Sequence, residues 1–268
     1  MGFKTFLNSR FGAVATGSVA IALLSASAGY TAGEIGSRDI ANDSVRSVDI
    51  QDETIRDADL SEAVKRNPGS HWSIVDRNVI GNGDSYLRAG PDGAPYGVGS
   101  LGIRTGSPED KAAFGNQTNF AGDPLAGIST VAYSVYTTGE NNARYAENGP
   151  SVIFEIDPTG REDTTAPNYS SLVYAPEAAG SNQWTRLEAS GADRWFLTGA
   201  AGTSSGCTQA SYCTLDEVKS HYANATLLTA QITKGRDYAF SGAVDGLQIN
   251  DRVYDFEPTG VTHVAPAD

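Results

Sequence analysis

Aromatic rings and carboxylates are the residues of this chain best suited to chemistry. Sugars stack their axial C–H faces on indole or phenol rings while nearby amides and carboxylates bond the hydroxyls. Trp72, Tyr96, Trp184, Trp195 and Tyr212 could supply such platforms. Tyr96 lies in Gly93-Ala-Pro-Tyr-Gly97 and Tyr212 lies between two cysteines, settings that favour exposure. Trp184 and Trp195 fall on strand-like runs, where the competing role is a half-buried core tryptophan. The candidate ligand-binding residues are therefore Tyr96, Trp184, Trp195 and Tyr212.

Catalytic patterns are weak. Glu155 and Asp157 would share one strand face at about 5.5 to 7 Å, the range of some paired glycosidase carboxylates, yet Asp157-Pro-Thr-Gly160 reads more simply as a turn. Gly202-Thr-Ser-Ser-Gly206 matches the Gly-x-Ser-x-Gly hydrolase pattern, which needs a strand before it and a helix after it. Here a cysteine loop follows, and no parallel α/β pattern surrounds it. His71, His221 and His263 are scattered and build no triad. No catalytic residue is assigned. With two Cys, three His and one Met, no multi-ligand zinc, haem or iron–sulfur site is expected.

Charge narrows the partners. The 268 residues carry 19 Lys+Arg against 32 Asp+Glu, a net −13, with no basic cluster, so nucleic acid is excluded as a partner. Anionic membrane surfaces are disfavoured for the same reason. Lys4 and Arg10 precede an uncharged stretch, Phe11 to Ala32, whose centre Ser18-Val-Ala-Ile-Ala-Leu-Leu24 is apolar. That is the order of a secretory signal, and Ala26-Ser-Ala28 offers a cleavage site, giving a signal peptide over 1–28. The alternative is an uncleaved anchor to about residue 32, the one route to a membrane. Either way the remainder is extracellular or on the cell surface. Cys207 and Cys213, separated by five residues, fit that compartment as a disulfide pinning a surface loop. Abundant Ala and Gly, and Arg in excess of Lys, suggest a GC-rich bacterial source.

Between Gly33 and Arg66 an aliphatic residue recurs every five positions: Ile35, Ile40, Val45, Ile50, Ile55, Leu60. A spacing of five fits neither a helix face nor a straight strand, so the chain must turn once per repeat, as in a β-solenoid or β-prism. So few repeats need a cap, a homotrimer, or freedom to stay flexible; a solvated acidic linker is the plain alternative. The run from Ile35-Gly-Ser-Arg-Asp-Ile40 to Asp49-Ile-Gln-Asp-Glu-Thr-Ile55 resembles the short repeats that follow the signal in many actinobacterial envelope proteins. That resemblance implies a surface stalk over 33–66 and no activity. The segment also resembles pentapeptide-repeat proteins, but Arg38, Asp43 and Glu53 stand where those prefer small side chains.

After the break at Asn67-Pro-Gly-Ser70 the sequence turns to short aromatic, glycine-punctuated runs. Strands are expected over 71–80, 99–104, 128–137, 151–156, 170–175, 184–188, 227–233 and 244–249. Val131, Tyr133 and Val135 alternate with Ala132, Ser134 and Tyr136, as Val152, Phe154 and Ile156 do with Ile153, Glu155 and Asp157. The pattern implies a mainly β fold, an antiparallel sandwich over 67–260 with a tail at 261–268. One helix is expected over 214–222, where Thr214 and Glu217 make a capping box and Leu215, Val218 and Tyr222 share a face.

Gly99-Ser-Leu-Gly-Ile-Arg104, Asn182-Gln-Trp-Thr-Arg-Leu187 and Phe240-Ser-Gly-Ala-Val-Asp-Gly-Leu-Gln-Ile249 occur in an order that resembles jelly-roll modules with a galactose-binding-like fold, including carbohydrate-binding modules. Val253-Tyr-Asp-Phe-Glu-Pro258 looks like a signature of secreted bacterial domains of unknown function. In the resembling carbohydrate modules the Asp matching Asp245 often helps hold a structural calcium, the one ion expected here. A strand-end Asp bonding a turn is the alternative. These readings imply an exported, non-catalytic β-sandwich that binds glycan or another envelope component. The alternatives are a structural envelope protein acting through assembly and, third, an extracellular glycoside hydrolase.

Overall fold

The structure is a computed structural model that describes residues 71–160 and 169–266. The signal or anchor segment, the pentad stalk and any trimer it would form lie outside the described residues. Among the described residues no helix is long and apolar enough to cross a membrane.

Two antiparallel sheets form a sandwich. The six-stranded sheet takes β1 (Trp72–Ile74), β4 (Ala112–Asn116), β10 (Thr226–Lys234), β6 (Ser151–Asp157), β7 (Ser170–Tyr174) and β9 (Trp195–Leu197) in that spatial order. The seven-stranded sheet runs β13 (Gly260–Val264), β12 (Arg252–Glu257), β11 (Phe240–Ile249), β3 (Gly99–Thr105) and β2 (Asp84–Ala89). In that sheet β5 (Val131–Tyr136) pairs with β11 and with β8 (Trp184–Glu188). The sheet continues through β13, past the boundary expected at 260, with Val253 opposite Val264.

Period-two alternation decides which side chains enter the core. On β6, Val152, Phe154 and Ile156 belong to the core cluster, which leaves Ser151, Ile153 and Glu155 on the outward face. On β5, Val131, Tyr133 and Val135 face inward, and Tyr133 donates its hydroxyl to the Pro150 carbonyl at 2.7 Å. Trp72 packs among Phe114, Phe120, Tyr254 and Phe256.

Among the described residues three short α-helices join strands: α1 (Gly139–Arg144), α2 (Gly199–Ser205) and α3 (Leu215–His221). The Thr214–Glu217 capping box on α3 is formed, and Leu215 and Val218 are buried. Ser204 of the Gly-x-Ser-x-Gly match sits inside α2, not at a strand-to-helix elbow. Cys207 and Cys213 are disulfide-bonded.

Candidate functional site

The six-stranded sheet carries a groove of about 570 Å³ on its outward face. Its floor comes from outward positions of neighbouring strands: Ser151 and Ile153 of β6, Ser171 and Val173 of β7, Thr233 of β10. Register places Ile153 opposite Val173 and Val173 opposite Phe196 of β9, so these side chains form a row across the sheet. The floor is mostly short, which leaves room above it.

A chain of contacts forms the rim. Tyr238, in the turn between β10 and β11, stacks on Tyr145 with ring centres 5.4 Å apart. The Tyr145 hydroxyl donates to Glu147, and that carboxylate accepts from Arg194 at 2.7 Å. The Arg194 guanidinium lies over the Tyr212 ring at 5.7 Å, and Tyr212 stacks on Phe196 at 5.9 Å. Tyr145, Tyr212 and Tyr238 are 46%, 39% and 39% exposed. Arg194 also donates to the carbonyls of Ala175 and Pro176, which fixes the guanidinium. Burial opposes its charge, but Glu147 more than compensates and raises its pKa. The rim is thus preorganised: its aromatic faces are set before any ligand arrives.

The disulfide positions one end of that rim. Trp195 exchanges both backbone hydrogen bonds with Cys213, and the Leu197 amide donates to the Cys207 carbonyl. The loop between the cysteines is thereby tied to the sheet edge, with Tyr212 beside Phe196.

Further along the same face lies a polar platform around Glu155. Its carboxylate accepts from Asn78 and the Tyr169 hydroxyl, each at 2.8 Å, from Thr229 at 2.8 Å, and from Arg77. Burial pushes the Glu155 pKa up, but the hydrogen bonds of Asn78, Tyr169 and Thr229 and the Arg77 charge outweigh it and hold it below the ordinary value. A carboxylate held ionised by four donors is poorly suited to act as a general acid. Asp157 accepts from the Thr159 amide at 3.0 Å and so caps its own turn. Both carboxylates considered as a glycosidase pair are thus held by hydrogen bonds within the protein.

The expected ligand residues separate. Tyr212 lines the groove. Trp195 does not: it is fully buried, packs on Phe154 and Tyr174, and donates its indole N–H to the Ala189 carbonyl. Adjacent strand residues face opposite sides, so Trp195 points inward where Phe196 points outward. Trp184 and Tyr96 belong to the other sheet. Trp184 is half-buried against Tyr136 and donates to the Pro91 carbonyl at 2.9 Å. The Tyr96 ring lies over Gly246, where a Cβ would come within 2.5 Å of it, and φ of +61° also favours glycine. Phe196, Tyr145 and Tyr238 were missed. Alternation beside Trp195 could have found Phe196, but the two loop tyrosines carry no periodic signal.

Asp245 is fully buried beneath the loop that carries Tyr96. It accepts from the Tyr96 amide at 2.9 Å and from the Phe256 amide at 3.2 Å. Burial pushes its pKa up to about 7 against those hydrogen bonds. Asp255 is raised to about 6 by burial and by the Glu257 charge. Glu257 in turn accepts from the Val98 and Gly99 amides. Each Asp245 oxygen thus accepts from a backbone amide, the turn-bonding role weighed beside calcium in the sequence. Among the described residues no three His, Cys, Asp or Glu side chains gather to hold a metal ion.

No protein-family model matches the chain, and no curated protein matches it. Among solved structures it is similar to a family 30 carbohydrate-binding module, with 9% identity, 74% of this chain and 86% of that chain covered, and a TM-score of 0.38. A xylan-binding domain of family 22 is similar at 15% identity, covering 67% and 85%, with a TM-score of 0.29. A carbohydrate-binding module of the β-sandwich superfamily, described as promiscuous in specificity, is similar at 12% identity, covering 68% and 61%, with a TM-score of 0.28. Likenesses this distant say nothing of what the chain binds.

Proposed function

We propose that the sandwich is a non-catalytic glycan-binding module whose site is the groove on the six-stranded sheet. The observation that carries this reading is the rim: two stacked aromatic pairs, joined through Glu147 and Arg194, stand exposed over a floor of small side chains. Rings offer faces to pyranose C–H groups, while Ser151 and Ser171 can bond hydroxyls. An open groove of this size accommodates a polymer segment and leaves its ends free.

The module would be exported and held at the cell surface. The basic, apolar and small-residue order of the N-terminus supports export, as does the disulfide. Residues 33–66 would then act as a stalk.

Affinity gel electrophoresis of the secreted chain against a panel of cell-wall and plant polysaccharides tests the reading. Retardation by at least one polymer is expected, weakened about tenfold by Tyr238→Ala, the loss of roughly 1.4 kcal/mol of stacking and burial. Retention by no polymer, or retention indifferent to Tyr238→Ala, would contradict it.

A further inference from the structure

We infer that the groove takes an acidic polysaccharide, one whose rings carry carboxylates or sulfate esters, with the anion held by Lys111 and Arg236. This rests on the groove being a glycan site and narrows its ligand.

The charged side chains lining the groove are Lys111, Glu147, Arg194, Arg236 and Asp237. Glu147 is committed to Arg194, and Asp237 pairs with Lys234, which is buried. That leaves the two cations Lys111 and Arg236, neither with an ion pair among the described residues. The lining as a whole therefore presents positive charge in a chain of net −13.

Lys111 directly precedes β4 and is half-buried. Its ammonium loses hydration through that burial and feels the Arg236 guanidinium as a like charge. The Glu155 charge acts on it favourably and outweighs Arg236, but the two form no ion pair, and the Glu155 oxygens accept from Arg77, Asn78, Tyr169 and Thr229. An anion at the Lys111–Arg236 side would relieve the repulsion and supply charge-assisted hydrogen bonds. The strand order sets Lys111 by β4 and Phe196 on β9, at opposite ends of the groove floor. A sugar chain lying across the strands would meet the cations at one end and the Tyr212–Phe196 pair at the other. Neutral polymers could use the aromatic end alone.

The test uses two matched pairs at about 0.15 M salt, where long-range charge effects are damped: polygalacturonate against its methyl ester, and a sulfated galactan against agarose. The wild-type chain is expected to bind at least one acidic polymer more tightly than its neutral partner. Which pair discriminates tells carboxylate from sulfate ester. The variant Lys111→Met, Arg236→Gln should lose tenfold or more for that polymer, keep its neutral binding, and melt at the wild-type temperature or above. Equal binding of acidic and neutral polymers, or acidic binding unchanged in the double variant, overturns the inference. In those cases the groove reading stands provided Tyr238→Ala still loses binding. Binding unaffected by Tyr238→Ala, or absent for every polymer, overturns both.

Discussion

On the seven-stranded sheet the Gly90–Val98 loop folds back over Asp245, its backbone amides held by Asp245 and Glu257 and its tyrosine seated on Gly246. On the six-stranded sheet the row from Ile153 through Val173 to Phe196 lies under a groove of about 570 Å³, bordered by stacked tyrosines. Both outward faces carry aromatic residues, and both carry carboxylates tied up by N–H or O–H donors. The difference is where the aromatic faces point. Tyr96 lies over Gly246 and Trp184 packs against Tyr136, whereas Tyr145, Tyr212 and Tyr238, though stacked on Tyr238, Phe196 and Tyr145 respectively, remain partly exposed at the groove. An aromatic residue in a loop therefore indicates a binding platform only when its packing against the chain leaves part of the ring at the surface.

The sharpest contrast lies within one strand. Trp195→Ala empties a fully buried site and should cost about 3–5 kcal/mol in denaturant unfolding. The neighbouring Phe196→Ala should cost far less stability but weaken glycan binding about tenfold. A Phe196 variant that unfolds like the Trp195 variant would mean that the outward row is core and not platform.

The covered face should reveal itself through pH. Asp245 and Asp255 keep in the folded state protons that the unfolded chain releases near pH 4, since their pKa values stand at about 7 and about 6. Between those limits the unfolded state binds fewer protons, so stability falls as pH rises from about 4 through 7. At about 1.4 kcal/mol per pKa unit the fall is on the order of 7 kcal/mol, more than ten degrees of melting temperature. Glu155, held below its ordinary value, contributes at lower pH and in the opposite direction. Asp245→Asn should flatten the melting-temperature profile between pH 5 and 8 while leaving glycan affinity alone. A flat profile in the wild type would contradict the buried, raised carboxyls.

Cutting the disulfide joins the two regions more gently. Closing so short a loop is worth about 2 kcal/mol in chain entropy, and the loop holds Tyr212 at the groove. The Cys207→Ser, Cys213→Ser variant should therefore lose both some stability and a few-fold of affinity. Thermal melts and affinity gels on the same protein measure the two losses. An unchanged affinity would remove Tyr212 from the site.

The fold was largely legible because β5 and β6 alternate apolar residues along their length, and β5, β6 and β8 lie within or close to their expected limits. Strands with weak patterns escaped. In β4, Ala-Ala-Phe-Gly-Asn offers one large apolar residue, and β9 spans three residues. The β12 run Arg-Val-Tyr-Asp-Phe-Glu does alternate, but it drew attention as a sequence signature and was not read as a strand. The site was less legible. Tyr212 stands out in the sequence because its cysteines frame it, whereas Trp195 stands out by its size although position on the strand turns Phe196, and not Trp195, toward solvent. Tyr145 and Tyr238 meet only in three dimensions, across a sequence distance no local pattern spans.

The most direct test sets the two faces against each other. Affinity electrophoresis of Tyr238→Ala and Trp184→Ala beside the wild type, in the polysaccharide that retards it most, isolates the open face from the covered one. The account predicts about a tenfold loss for Tyr238→Ala and wild-type retardation for Trp184→Ala. Loss confined to Trp184→Ala, with Tyr238→Ala retarded like the wild type, would contradict it and move the site to the seven-stranded sheet.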